Sequence, residues 1–179
     1  SQAIVYAADH GAKIVNVSYR IGESAAVERA ARYMVRKGGV TVAAAGNTGL
    51  LSGIASNSQN IITVAATDNF DLHPSWSTYG ADIDLSAPGF SILTTTRGDN
   101  IGLYSGTSFS APIVAGVVAL LWSVRPELTP AQIQDSLFTS AVDVAVPGWD
   151  QLTGWGRIDA GRALETAALK YRASPSKRK

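Results

Sequence analysis

From Phe109 to Val124 the chain carries no charged residue and would be apolar on every side of a helix. Such a helix leaves no face for water, and the run is shorter than a bilayer span. It therefore predicts a central helix buried between other layers, with Gly116 allowing a neighbour to approach closely. Pro112 falls in the first turn, where its missing N–H costs nothing. Directly before it, Tyr104-Ser105-Gly106-Thr107-Ser108 sets a hydroxyl between strand-like residues, a small-residue turn and a helix N-terminus.

That placement makes Ser108 the candidate nucleophile. A helix start offers free N–H groups and partial positive charge to the oxyanion formed when a serine attacks a carbonyl. A nucleophilic serine also needs a base, ordinarily histidine. The chain has two histidines, His10 and His73, and both precede Ser108. The order serine, acid, histidine of the α/β-hydrolases is thereby excluded.

Gly106-Thr107-Ser108 with Ser110 and Pro112, followed by Ile113-Val114-Ala115-Gly116, resembles the nucleophile motif of the subtilisin-like serine proteases. Val42-Ala43-Ala44-Ala45-Gly46-Asn47 is similar to the oxyanion-hole segment of that family, with Asn47 in the place of its side-chain donor. Two further blocks agree in order and approximate spacing, Ala12–Ser18 and Asp84–Gly89. The resemblance covers the chain to about Ala168 but only the C-terminal part of the family's catalytic domain. It implies an α/β, three-layer parallel-sheet, subtilisin-like fold that is incomplete at its N-terminus. It also implies a triad whose histidine and aspartate lie before Ser1.

A chain of 179 residues with 46% hydrophobic and 16% charged residues is ordinary for one globular domain. Residues 1–171 read as one piece of a peptidase domain, and 172–179 as a basic, disordered tail. A net charge of +1 gives no reason to invoke nucleic acid, and no membrane partner is expected. Cysteine is absent, which removes disulfides and thiolate metal sites. The opening residues lack the basic region and cleavage site of a signal peptide and read as the middle of a fold. A secreted origin follows from the family resemblance alone.

Periodicity and punctuation supply the remaining elements. Ile4, Val5 and Ala8 have helical spacing closed by Gly11, and Ile14–Val17 has strand character. Ser24 caps a helix over Ala25–Lys37 that Gly38-Gly39 ends, with Arg29, Arg32, Arg36 and Lys37 on its outer side. Val40–Ala45 and Ile61–Ala66 read as strands, the first covered on both faces. Ser91–Thr95 and Ile101–Tyr104 are short strands about the turn Arg97–Asn100. Thr129-Pro130 opens a helix to Ser140, Gly154–Asp159 is similar to the family's closing strand, and Ala160–Tyr171 is a last helix.

The resemblance assigns Ser18, Tyr19 and Arg20 to a segment that pairs with an extended substrate like an added strand. Arg20 departs from the small or apolar residues common there. It is either a solvated arginine leaning off the strand end or a groove-rim arginine favouring acidic side chains. Ala44, Gly46 and Gly53 would leave room for a large substrate side chain, and Ile54-Ala55 stands where the family commonly has Tyr-Pro. His10 ends a helix where the family's catalytic histidine opens one, and His73 falls in a surface turn. Asp82 and Asp84 read as a solvated strand end, although the resemblance places a weak cation site nearby and leaves a structural calcium open. The function implied is that of a serine endopeptidase acting on protein or peptide substrates, with base and acid from outside this chain. The alternative is a catalytically incomplete module that binds peptides or associates with an identical chain.

Overall fold

The computed structural model describes residues 1–21, 24–54 and 58–171. The tail 172–179 and Ala55 lie outside the described residues. The main sheet is built from β1 (Ile14–Val17), β2 (Val40–Ala44), β3 (Ile61–Thr67) and β4 (Leu85–Pro88). They pair in that order, all parallel, with Val15 opposite Thr41, Ala43 opposite Thr63 and Ala66 opposite Ala87. Among the described residues, β1 has a strand on one side only.

Every residue of β2 is buried, because the strand is covered on both faces. Val40, Val42 and Ala44 join Ile62, Val64, Leu85 and Ala87 in the larger core cluster, under α3 (Thr107–Val124), α4 (Pro130–Ser140) and α5 (Ala160–Lys170). Ala43 turns the other way and packs with Val17, Ala31 and Ile61. On that side α1 (Gln2–Asp9) and α2 (Ala25–Arg36) bury Ile4, Ala8, Ala30 and Met34 together. Helices on both faces of a parallel sheet give the three-layer α/β architecture that the family resemblance implies.

The helix boundaries follow their caps. Ser24 Oγ accepts the Val27 N–H at 3.4 Å. Thr129 and Gln132 form a reciprocal capping box, with Pro130 in the first turn of α4.

Three expectations are corrected. First, α3 begins at Thr107 and is buried on one face only, through Ala111, Val114, Val118 and Leu121. Pro112, Gly116, Ala119 and Leu120 are exposed, and open space surrounds Gly116. At 18 residues α3 reaches the lower limit of a membrane span, but its buried face packs on the sheet as a soluble core helix does. Second, Gly154–Asp159 forms no regular strand. Its backbone runs along the outer edge of β4, where Ser86 donates to Gly156 O and Ile158 donates to Ser86 O, each at 2.9 Å. Third, β5 (Ile92–Thr96) and β6 (Asn100–Tyr104) form an antiparallel hairpin whose strands run to Thr96 and Asn100, which shortens the expected turn.

Candidate active site

The C-terminal ends of parallel strands collect side chains at one edge of the sheet, where open α/β folds place their ligands. Here that edge receives Ser18 from the end of β1, Gly46 and Asn47 from beyond β2, and Thr107 and Ser108 from the start of α3. The Ser108 hydroxyl donates to Ser18 O at 2.8 Å, and the Ser18 hydroxyl donates to Ser108 O at 2.9 Å. Asn16, one pleat back on β1, donates its amide to Ser18 Oγ at 2.8 Å. Ser18 therefore holds the first turn of α3 against the end of β1.

Asn47 is fixed by Thr107. Both the Thr107 N–H and the Thr107 hydroxyl donate to Asn47 Oδ1 at 2.9 Å. An amide N–H can only donate, so the oxygen of Asn47 faces Thr107 and its NH2 group is left to donate elsewhere. Thr107 Oγ1 also accepts the Gly46 N–H at 3.1 Å, which links the same hydroxyl to the backbone before Asn47. A Cβ on Gly106 would lie 3.1 Å from Asn47 Nδ2, so glycine keeps the space beside that donor open. The Ser108 N–H lies in the first turn of α3, where N–H groups have no intrahelical acceptor. Asn47 Nδ2 beside Gly106 and the N–H groups of the first turn of α3 thus offer donors around a helix N-terminus, groups of the kind that hold a developing oxyanion.

A cavity of about 660 Å³ lies on the α2 side of the sheet, lined in part by Arg20, Ala25, Glu28, Ala44, Asn60 and Asp82, and neither Ser108 nor Asn47 is among its lining residues. Tyr19 is exposed. Arg20 is no solvated arginine: its guanidinium donates through Nη2 to Ser52 O, and Nε is buried without a partner. Its stem crosses Gly46, where a Cβ would meet Arg20 Cδ at 3.1 Å, so the room expected at Gly46 is occupied by Arg20. Gly46 has φ +106°, which a side chain would strain in any case. Gly53 is exposed and has open space around it.

Asp82 and Asp84 are not a solvated strand end but buried. Asp84 Oδ2 accepts the Thr63 N–H at 2.7 Å, whereas Asp82 Oδ1 has no partner. Calcium takes six to eight oxygens, and no group of three or more acidic or histidine side chains that could hold a metal occurs among the described residues. Asp82 and Asp84 by themselves do not make a calcium site, and no step below passes through one.

Neither histidine partners Ser108. The His10 ring stacks on Tyr6 with centroids 3.9 Å apart, and Nδ1 pairs with Tyr6 O at 2.8 Å. His73 is half-buried edge-on to Tyr79, with Nε2 buried and unpartnered. Burial lowers its pKa below the ordinary histidine value, and nearby Asp150 only partly opposes this.

Thr107 and Asn16 are the participants that sequence reasoning overlooked. Thr107 reads as filler between glycine and serine, and its partner lies far upstream in sequence. A hydroxyl at a helix start was the available signal, because such residues usually bond to backbone or a cap.

The model of the subtilase family of S8 peptidases matches residues 1–156. The chain is 42% identical over 125 residues to the thermophilic serine proteinase of Bacillus sp. strain AK1, covering 69% of this chain and 31% of that protein. It is 36% identical over 170 residues to thermitase of Thermoactinomyces vulgaris, covering 92% of this chain and 58% of that one. Fervidolysin from Fervidobacterium pennivorans superposes with a TM-score of 0.72 at 30% identity, covering 92% of this chain and 28% of fervidolysin. The chain thus spans under two thirds of the length of these relatives. Several further relatives are named as extracellular or cell-wall-associated proteases. By its fold, its sequence blocks and the reach of the family match, this chain belongs to the subtilase family.

Proposed function

We propose that the chain is the nucleophile-bearing part of a subtilisin-like serine endopeptidase, with Ser108 as nucleophile and Asn47 as oxyanion donor. The observation that carries this reading is the double anchoring of Asn47 Oδ1 by Thr107, which leaves the NH2 group free to donate, with Nδ2 next to Gly106 in the turn that opens α3. An extended protein or peptide substrate lies along Ser18, Tyr19 and Arg20 as an added strand. Ser108 Oγ attacks the scissile carbonyl carbon, its proton passes to a histidine, and the oxyanion is held by Asn47 Nδ2 and the Ser108 N–H. The histidine then gives that proton to the leaving amine as the C–N bond breaks. Water, deprotonated by the same base, releases the acyl group from Ser108.

The histidine and its orienting aspartate come from outside residues 1–179. His10 and His73 are engaged or buried away from Ser108, as described above. Two features suit an added segment: the side of β1 that has no strand neighbour among the described residues, and the exposed apolar face of α3 that carries Pro112, Gly116, Ala119 and Leu120. Likeness to relatives named as extracellular proteases supports a site of action outside the cell.

The test is hydrolysis of a denatured protein substrate by the polypeptide that includes this chain and the base-bearing segment. Loss of cleavage in Ser108→Ala supports the reading, and cleavage undiminished in that variant overturns it.

A further inference from the structure

A second cavity, of about 970 Å³, opens where β3 and β4 begin, at the edge of the sheet opposite to the one that carries Ser108. Its lining includes Asp84, Asp135 and Asp143 together with Phe138 and Trp155, and no lysine, arginine or histidine among the described residues. Asp143 is exposed, and its Oδ2 accepts the Gly148 N–H at 2.6 Å. No cation among the described residues pairs with it. Trp155 is 45% exposed. Aromatic rings beside carboxylates suit lysine and arginine, whose stems lie on the ring while the charge reaches the acid.

The end of α5 is fastened to this cavity. Lys170 Nζ lies 2.6 Å from Asp135 Oδ2, and the Tyr171 hydroxyl donates to the same carboxylate. Residues 172–179 therefore leave the described chain at the rim of the cavity, and they carry Arg172, Lys177, Arg178 and Lys179 with no acid among them. We propose that residues 172–179 occupy this cavity of their own chain, with Arg172 near Asp135 and Lys177 or Lys179 at Asp143. The reach suffices. From Asp135 to Ser140 the helix rises about 7.5 Å, and the three further residues to Asp143 add at most about 10 Å. The residues from Arg172 to Lys177 or Lys179 span about 17–24 Å when extended. Pro175 disfavours helix at Ser174 and so favours the extended form. Attachment at the rim gives the tail a local concentration on the order of millimolar, so its own cavity fills before that of a second copy. A polar, basic composition leaves such a segment disordered in isolation, and pairing with fixed acids is how it becomes ordered.

The test is cross-linking of the 179-residue chain by a water-soluble carbodiimide, which joins a lysine amine to a carboxylate in contact with it. An equal mixture of unlabelled and heavy-isotope-labelled protein is used, and mass spectrometry of the digest identifies the partners. A link from Lys177 or Lys179 to Asp143 within one chain is expected. Its yield should fall at least about fivefold in Asp143→Asn, and equally in about 1 M sodium chloride, which screens the pairing. As a second measurement, replacing Arg172, Lys177, Arg178 and Lys179 by glutamine should shift tryptophan emission to longer wavelength, and adding Trp155→Phe should abolish that shift. Links to Asp143 that join labelled to unlabelled chains would give the cavity to a second copy's tail and overturn the proposal. So would a tail whose links bypass Asp143 or that forms none, and so would an emission unchanged by neutralising the tail.

Discussion

Ser108 and Ser18 exchange hydrogen bonds: each donates its hydroxyl to the other's carbonyl oxygen, at 2.8 and 2.9 Å. The Ser108 proton is thus held by a carbonyl, which cannot take it up, and the hydroxyl is a weak nucleophile until a base redirects it. The exchange also ties α3 to the end of β1. Ser18→Ala removes the bond to Ser108 O and the one accepted from exposed Asn16, whose amide water can take over, and should cost about 1 kcal/mol. For a chain of this size that is a fall of roughly 2–4 °C in Tm. Thermal unfolding followed by circular dichroism checks it, and an unchanged Tm would show that the link contributes nothing in solution.

Asn47→Ala removes the side-chain donor while leaving the Ser108 N–H in place. In the base-bearing protein kcat should fall roughly 10²- to 10³-fold with little change in KM, the magnitude known for subtilisin's own oxyanion donor. Thr107 does not touch substrate, and its role is to position Asn47. Thr107→Val should therefore cost less, about tenfold in kcat, because one of the two donors to Oδ1 remains. Thr107→Ser restores the hydroxyl and should recover the rate, an outcome that a purely packing role for Thr107 would not give.

Much of this was legible in the sequence, and the reasons differ by residue. Ser24 and Thr129-Pro130 gave helix starts correct to the residue, since a cap acts locally. The all-apolar run gave α3 but not its exposed face, because hydropathy records what a side chain prefers and not which surfaces are present to cover it. Ser108 and Asn47 stood out as motif residues. The grip of Thr107 on Asn47, the pairing of Ser18 with Ser108 and the turn of Arg20 across Gly46 are contacts between distant segments, and no local spacing encodes them. Asp82 and Asp84 looked solvated because acids at a strand end usually are. Here Asp84 lies alongside β3, donating its N–H to Thr63 O and accepting the Thr63 N–H, and Asp82 is buried just before it.

Leu120 is 41% exposed on the outer face of α3 and contributes little to the chain by itself. If the base-bearing segment packs on that face, Leu120→Lys should leave the Tm of the 179-residue chain within about 1 °C. The same substitution should weaken association with that segment by about tenfold or more, as the loss of one buried leucine implies. Titration of the separately expressed segment onto each version of the chain, followed by calorimetry, distinguishes this from an α3 face left open to solvent.

His73 has a folded-state pKa below the ordinary value of 6.5, chiefly because burial disfavours its charged form. The unfolded chain then binds more protons than the folded one, so stability rises with pH through this window. The contribution is complete above about pH 6.5 and is lost as pH falls below it towards the lowered value. Thermal unfolding between pH 5 and 8 should show an acid-side decline that flattens in His73→Phe. Parallel curves for the two proteins would assign the decline to other groups.

The central claim is that Ser108 is a nucleophile in waiting, with its oxyanion donors in place and its base outside this chain. Intact-mass spectrometry after exposure to a fluorophosphonate, which labels only activated serines, addresses it directly. The account predicts no adduct on the 179-residue chain alone. It predicts an adduct, abolished by Ser108→Ala, on the longer protein that carries the base. A Ser108 adduct forming as fast on the chain alone would contradict it, because a base within residues 1–179 would then have to reach that hydroxyl.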